Sequence, residues 1–197
     1  MHATRILAIR HGETAWNVDT RLQGHLDIPL NDVGLRQAKH LAQALAEREV
    51  VDAIYASDLS RAHTTASAIA QAMGHTVSQH AGLRERHFGA FQGRTFAEIE
   101  VELPEQAWHW RKRTPEWTPP GGGESLIALR ERIVTTVDEL AARHPGQQIV
   151  LVAHGGVLDI LYRAATRLEL QAPRTWQLTN TAVNRLLWTP QGLSLVG

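Results

Sequence analysis

Two stretches decide the fold. One is Arg5-Ile6-Leu7-Ala8-Ile9-Arg10-His11-Gly12, the other Gln148-Ile149-Val150-Leu151-Val152-Ala153-His154-Gly155-Gly156. Each is a short apolar run without alternation, the pattern of a strand buried on both faces of a parallel sheet. Each stops abruptly at a histidine followed by glycine. In open α/β sheets ligands bind beyond the carboxyl ends of the strands, so both imidazoles belong at the ligand edge. The glycine after each lets backbone approach a ligand closely.

Helical periods and further strands fill the rest. Leu35, Ala38, Leu41, Ala42 and Leu45 recur at helical spacing over 31–48, with Asn31 or Asp32 as cap. Residues 51–56 form a strand. Ser57 and Asp58 then offer caps for a helix with Leu59, Ala62, Ala66, Ile69 and Met73 on one face, ended by Gly74. Leu126, Leu129, Ile133, Val137 and Leu140 stripe a long helix over about 124–143, which Pro145-Gly146 stops. A helix over about 157–167 and closing strands at 181–188 and 193–196 complete the chain. Alternating strands and helices predict one domain over 1–197, a three-layer α/β/α sandwich with a mostly parallel central sheet. Residues 81–123 differ. Apart from a short helix at 96–101 they lack a sustained period, and Pro119-Pro120 and Gly121-Gly122-Gly123 punctuate a loop. An excursion over one edge of the domain, at about 86–123, is expected.

Composition bounds the function. The 197 residues carry 20 Lys+Arg and 20 Asp+Glu, a formal net charge of zero, and are 43% hydrophobic. A domain of this size buries about 70% of its unfolded surface and needs no staple. With no cysteine, disulfides, thiolate catalysis and Cys-based zinc sites are excluded. The longest apolar run in the strands, Ile149 to Ala153, is far too short to span a bilayer, and the N-terminus has no secretory apolar region. A cytoplasmic protein with no membrane partner is expected. Neutral balance argues against a dedicated nucleic-acid binder.

Arg61 falls in the first turn of the helix after Ser57-Asp58, where the helix dipole already favours an anion. Together with Arg10, His11 and His154 it makes a pocket for a dianion such as phosphate, because the planar guanidinium donates two parallel hydrogen bonds to phosphate oxygens. Nearby cations disfavour the imidazolium, so Arg10 and Arg61 help keep one His11 nitrogen unprotonated.

The ordered motifs Leu7-Ala8-Ile9-Arg10-His11-Gly12-Glu13-Thr14-Ala15-Trp16-Asn17, Leu22-Gln23-Gly24-His25, Ser57-Asp58-Leu59-Ser60-Arg61-Ala62-His63, Leu83-Arg84-Glu85, Gly122-Gly123-Glu124-Ser125 and Val152-Ala153-His154-Gly155-Gly156 resemble the histidine phosphatase superfamily, the phosphoglycerate-mutase-like fold. The resemblance implies that His11 is a nucleophile that becomes phosphohistidine. It implies that Arg10, Arg61 and His154 clamp the phosphoryl oxygens, and that Glu85 protonates the leaving oxygen and then activates water. Asn17 and Gln23 match positions of polar contact to phosphate, Gly155 brings backbone to the pocket, and His87 is a candidate substrate contact at the rim. The implied reaction is metal-independent hydrolysis of a small phosphorylated metabolite, with no cofactor. Oligomeric state stays open, a homodimer included.

Several rivals stand beside this. Eleven histidines invite a metal site, but no metal-ligand spacing occurs among them. A non-catalytic phospho-ligand module would lack the nucleophile or the acid, and both are present. Trp108, Trp110, Arg111-Lys112-Arg113 and Trp117 superficially suggest base stacking, but a single such cluster in a neutral chain reads better as a lid that shields the site and contacts the rest of the substrate, or as an amphipathic helix packed on the domain. Cofactor-dependent phosphoglycerate mutases, which need 2,3-bisphosphoglycerate as primer, carry Asn-Lys where this chain has Arg94-Thr95. In that respect the chain looks more like the short broad-specificity and α-ribazole-type phosphatases.

Overall fold

A computed structural model describes residues 2–197. In chain order the elements are β1 (Thr4–Arg10), α1 (Ala15–Val18), α2 (Asp32–Arg48), β2 (Ala53–Ala56), α3 (Ser60–Met73), β3 (Val77–Gln79), α4 (Phe96–Glu102), α5 (Pro104–Arg111), α6 (Leu126–Ala142), β4 (Gln148–Ala153), α7 (Gly155–Thr166), β5 (Val183–Thr189) and β6 (Gly192–Leu195). The six strands form one sheet in the order β3-β2-β4-β1-β5-β6. The first four are parallel, and β5 and β6 add antiparallel at the β1 edge.

Side-chain alternation along the two central strands builds the layers. Ile6 and Ala8 of β1, with Ile149 and Leu151 of β4, face a core made with Leu129, Ile133, Val137 and Leu140 of α6 and Val157, Leu158 and Leu161 of α7. Leu7, Ile9, Val150 and Val152 face the opposite side and pack on Ala42 and Leu45 of α2 and Ala62, Ala66 and Ile69 of α3. Burial on both faces is why these strands read as continuous apolar runs. This is the expected α/β/α sandwich with a mostly parallel sheet. All five apolar-stripe residues of α6 are buried; on α2, Leu35 is not, at 48% exposed, because the face that meets α3 is the one carrying Ala38, Ala42 and Leu45.

Two local expectations are corrected. Neither Ser57 nor Asp58 caps α3: the N-cap residue is Leu59, which makes no side-chain bond. Asp58 instead holds Arg84 through two 2.7 Å bonds, and the Ser60 N–H donates to Asp27 Oδ1 at 2.7 Å, so the cap comes from a distant loop. The stretch after residue 102 is not irregular throughout. Pro104 starts α5, at a position where its missing N–H costs nothing. Leu103, Ala107 and Trp110 then join Phe88, Phe91, Ile99 and Trp117 in a third apolar cluster. Trp110 lies edge-on to Phe88 with ring centroids 5.2 Å apart, and Trp117 is tilted against Phe91 at 5.6 Å. Trp108 alone of the three tryptophans points outward, at 48% exposed. Among the described residues no helix is long and apolar enough to cross a membrane.

The loop after β1 is pinned to the start of α2. Asn31 accepts from the Gly34 N–H at 2.8 Å and donates to Glu13 Oε1 at 2.9 Å, and its own N–H donates to the Glu13 carbonyl at 3.0 Å. A Cβ on Gly34 would lie 2.1 Å from the Glu13 carbonyl oxygen, against backbone that cannot swing aside. Gly34→Ala is therefore expected to cost about 1–3 kcal/mol, the usual range for overpacking. Denaturant midpoints of the two proteins measure it, and a difference within error would refute this close packing.

Candidate active site

In-register pairing sets the two histidines side by side. Arg10 of β1 lies opposite Ala153 of β4, so the next residue of each strand is a histidine. The His11 N–H donates to the Ala153 carbonyl at 3.1 Å, and the two imidazole centroids are 5.3 Å apart. His11 is 2% and His154 0% exposed. His11 Nδ1 lies 2.6 Å from the Gly12 carbonyl oxygen. A carbonyl only accepts, so Nδ1 carries the proton and Nε2 keeps its lone pair. Burial first, then the Arg61 and Arg10 charges, hold the His11 pKa well below 6.5. His154 is held down by burial, Arg61, His11 and Arg10 in that order.

The rest of the loop is tied from three directions. The Gly12 N–H donates to Thr65 Oγ1 (3.0 Å), Asn180 Nδ2 donates to the His11 carbonyl (3.1 Å), and the Thr181 N–H donates to the Arg10 carbonyl (3.0 Å).

Two guanidiniums flank the pair. Arg61, 1% exposed, donates from Nη1 to the Leu26 carbonyl and from Nη2 to the Gly24 carbonyl, each at 2.7 Å. Burial lowers its pKa to about 10, so it stays charged at neutral pH. Arg10 donates to the Leu178 carbonyl, and its pKa is also lowered, chiefly by burial. Arg10 Nε, Arg61 Nε and both His154 ring nitrogens are buried with no hydrogen-bond partner. Each such group costs about 1–3 kcal/mol when left unmatched. An oxyanion beside His11 would match the donors among them.

Glu85 completes the cluster. Its Oε1 accepts the Arg86 N–H at 2.7 Å and its Oε2 the Gly156 N–H at 2.9 Å. A Cβ on Gly156 would fall 2.2 Å from Glu85 Oε1, so the second glycine of the His-Gly-Gly run makes room for the carboxylate. Asn17 Oδ1 accepts from the Thr14 N–H (3.0 Å) and Asn180 Nδ2 (3.2 Å), while Gln23 Oε1 accepts from Thr14 Oγ1 (2.9 Å). Both amides line the cleft with their NH₂ groups left to donate.

The cleft encloses about 250 Å³ and brings together Arg10, His11, Asn17, Gln23, Arg61, Glu85 and Gly155. His154 is not among the lining residues; its ring lies beside that of His11, 5.3 Å between centroids. His87 is not among the lining residues: its Nδ1 accepts the Gly89 N–H at 2.9 Å and its ring lies against that of His25, 4.7 Å between centroids. The cleft also holds Trp110 and Arg113, from the stretch read as a lid candidate, together with Arg86, Asp159 and Arg174, to which the sequence reading gave no role. Among the described residues no three His, Cys, Asp or Glu side chains gather as a metal site.

An imidazole nitrogen with its lone pair free, buried cations around it and a carboxylate at the cleft wall suit phosphoryl chemistry at this sheet edge. The chain belongs to the histidine phosphatase superfamily (branch 1), whose family model matches residues 6–197. It is similar to "Phosphoglycerate mutase-like protein 4" of Arabidopsis thaliana, 39% identical over 180 residues, covering 91% of this chain and 77% of the relative. A second Arabidopsis thaliana relative, "Metal-independent phosphoserine phosphatase", is 38% identical over 182 residues, 92% of this chain and 75% of the relative. The solved structure of a mycobacterial glucosyl-3-phosphoglycerate phosphatase superposes with a TM-score of 0.83 at 35% identity, covering 94% of this chain and 90% of that one.

The depressed imidazoles tie stability to pH. In the unfolded chain His11 and His154 titrate near 6.5; in the native protein they bind protons only at much lower pH. Below 6.5 the unfolded state therefore holds protons that the native state refuses. Stability is complete above that value and falls as pH drops through it toward the native pKa. The slope is up to about 1.4 kcal/mol per pH unit for each histidine. His25, lowered chiefly by burial, adds in the same direction. Denaturant titrations at pH 7.5, 6.5 and 5.5 should show the decline, and His154→Gln should flatten it. A constant midpoint over that range would contradict neutral buried imidazoles.

Proposed function

We propose that this protein hydrolyses small phosphomonoesters through a phosphohistidine at His11, without a metal ion. The observation that carries the proposal is the His11 tautomer, with Nδ1 donating to the Gly12 carbonyl and Nε2 free beside buried, unmatched cationic nitrogens. Nε2 attacks phosphorus as the ester P–O bond breaks. The leaving oxygen takes a proton from the Glu85 carboxyl. Water then attacks the phosphorus of phospho-His11, giving its proton back to Glu85, and inorganic phosphate leaves as the P–N bond breaks. Arg10, Arg61, the neutral His154 and the amides of Asn17 and Gln23 hold the three equatorial oxygens. Phosphoryl transfer asks for little beyond such positioning and charge stabilisation. Each preorganised donor is worth roughly 10²–10³ in rate. A metal-independent route agrees with the name of the phosphoserine phosphatase relative.

Hydrolysis is favoured over mutase transfer by the placement of Arg94-Thr95. Arg94 pairs with Glu102 on the surface and Thr95 caps α4, so neither lines the cleft.

His11→Ala should abolish phosphate release from p-nitrophenyl phosphate while leaving the fold intact, and wild-type protein quenched in base should carry base-stable, acid-labile phosphate. Activity should survive EDTA. Glu85→Gln should lower the rate on alkyl phosphates by roughly 10²–10⁴, the range for general acid catalysis, and lower it much less on p-nitrophenyl phosphate, whose leaving group needs little proton. Equal losses on both esters would reduce Glu85 to an orienting role. Turnover by His11→Ala would sink the covalent mechanism.

A further inference from the structure

Glu85 sits on backbone that no regular element holds. Among the described residues, 84–88 lie outside every helix and strand, between one 3-10 turn at Ala81–Leu83 and another at Gly89–Phe91. A group that must meet a leaving oxygen at hydrogen-bond distance needs its main chain fixed, since a displacement of about 1 Å costs roughly 10² in rate. Much of the fixing comes from one side chain. Arg132, in the second turn of α6, donates from Nη1 to the Gly82 carbonyl at 2.9 Å and to the Arg84 carbonyl at 2.8 Å. Its Nη2 donates to the Glu85 carbonyl at 3.2 Å and to Glu124 Oε1 at 2.8 Å, and its Nε donates to Glu124 Oε2 at 2.8 Å. A guanidinium has five N–H donors, and here every one is spent.

Glu124 makes the clamp two-sided. Beside its bidentate pair with Arg132, its Oε1 accepts the His87 N–H at 3.1 Å and its carbonyl accepts from Arg86 Nε at 2.8 Å. Its own N–H donates to the His87 carbonyl at 2.8 Å. The chain from Gly82 to His87 is thereby laced to the start of α6 on both flanks of the acid. His25 adds one more bond, its Nε2 donating to the Glu85 carbonyl at 2.8 Å. The Glu85 carboxylate itself is held by two main-chain N–H groups, those of Arg86 and Gly156, so its place follows from where that main chain runs. Arg132 is not among the residues lining the cleft, and its spent donors leave nothing for a substrate. A lysine could not stand in, because an ammonium has three donors and no planar fork.

We infer that Arg132, oriented by Glu124, is a positioning residue that sets the Glu85 carboxyl at the leaving-group oxygen. It touches no substrate and acts through the main chain of residues 82–85. The inference rests on the phosphomonoesterase reading and adds to it a residue outside the cleft. None of the groups assigned to the phosphoryl oxygens is bonded to Arg132, so its loss is felt in proton delivery and not in phosphate binding.

The leaving group tells positioning from bulk structure. Arg132→Ala should lower kcat/KM for glycerol 3-phosphate, an alkyl ester, by roughly 10², and for p-nitrophenyl phosphate by less than about threefold. A role in folding alone would lower both together. In a Glu85→Gln background the same change should cost the alkyl ester no more than about threefold further, because the group it places is gone. Equal losses on the two esters, no loss on either, or an undiminished loss in the Glu85→Gln background would overturn the inference. Should Arg132→Ala not fold, Arg132→Lys, which keeps the charge but not the fork, is read by the same two comparisons. Should Glu85→Gln lower both esters alike, the acid role of Glu85 falls; should wild-type protein release no phosphate, the phosphatase reading falls. Amide exchange then decides the placement. In Arg132→Lys the N–H groups of Arg86, His87 and Gly156 should exchange faster than in wild type by roughly tenfold or more, and unchanged rates there would overturn it.

Discussion

A guanidinium buried without a carboxylate partner organises the carboxyl edge of this sheet. Among the described residues no acid forms an ion pair with Arg61, which is nevertheless almost wholly inside. Burying a charge that way is tolerable only when its donors are taken up by fixed acceptors. The carbonyls of Gly24 and Leu26 serve, and they oblige the loop between α1 and α2 to fold over the start of α3. The same loop supplies Asp27, which caps α3 at Ser60. Helix start, loop path and anion pocket thus depend on one side chain. Closure comes from the other direction through Asn180 and Thr181, whose bonds to the His11 and Arg10 carbonyls follow from laying β5 antiparallel beside β1.

What the sequence reveals and conceals follows from the range of each interaction. His11 and His154 are legible because a doubly buried strand leaves an apolar run that ends where the ligand edge begins. The α6 stripe is legible because its period is long and uninterrupted. Pro104 misleads, since proline ends a helix or opens one depending on position, and Leu103, Ala107 and Trp110 supply too few repeats to tell which. The α3 cap misleads more deeply: Ser57 and Asp58 have the right chemistry at the right place, but Asp58 is taken by Arg84. The His11 tautomer depends on a backbone carbonyl and leaves no mark in the pattern.

The further arginines of the cleft were hidden for a different reason. Arg113 belongs to the run Arg111-Lys112-Arg113, whose composition does not say which member turns inward. Only tertiary folding separates its members, sending Arg111 to Glu100 on the surface and Arg113 inward to Asp159. Asp159 itself sits on the apolar helix α7, where Arg163 one turn on is its local partner. Arg113 from the excursion and Arg174 from beyond the helix then converge on the same carboxylate.

The unmatched nitrogens around His11 set a trade between durability and use. The resting protein keeps polar groups dry and charges close together, each at some cost in folding free energy. Substitutions that replaced those cations with well-packed apolar residues would be expected to yield a sturdier fold and an inert one. Mutational drift toward stability is therefore opposed at this edge of the sheet and free elsewhere. The thermodynamic slack that tolerates the pocket is supplied by the two apolar layers, α2 with α3 and α6 with α7, on either side of it.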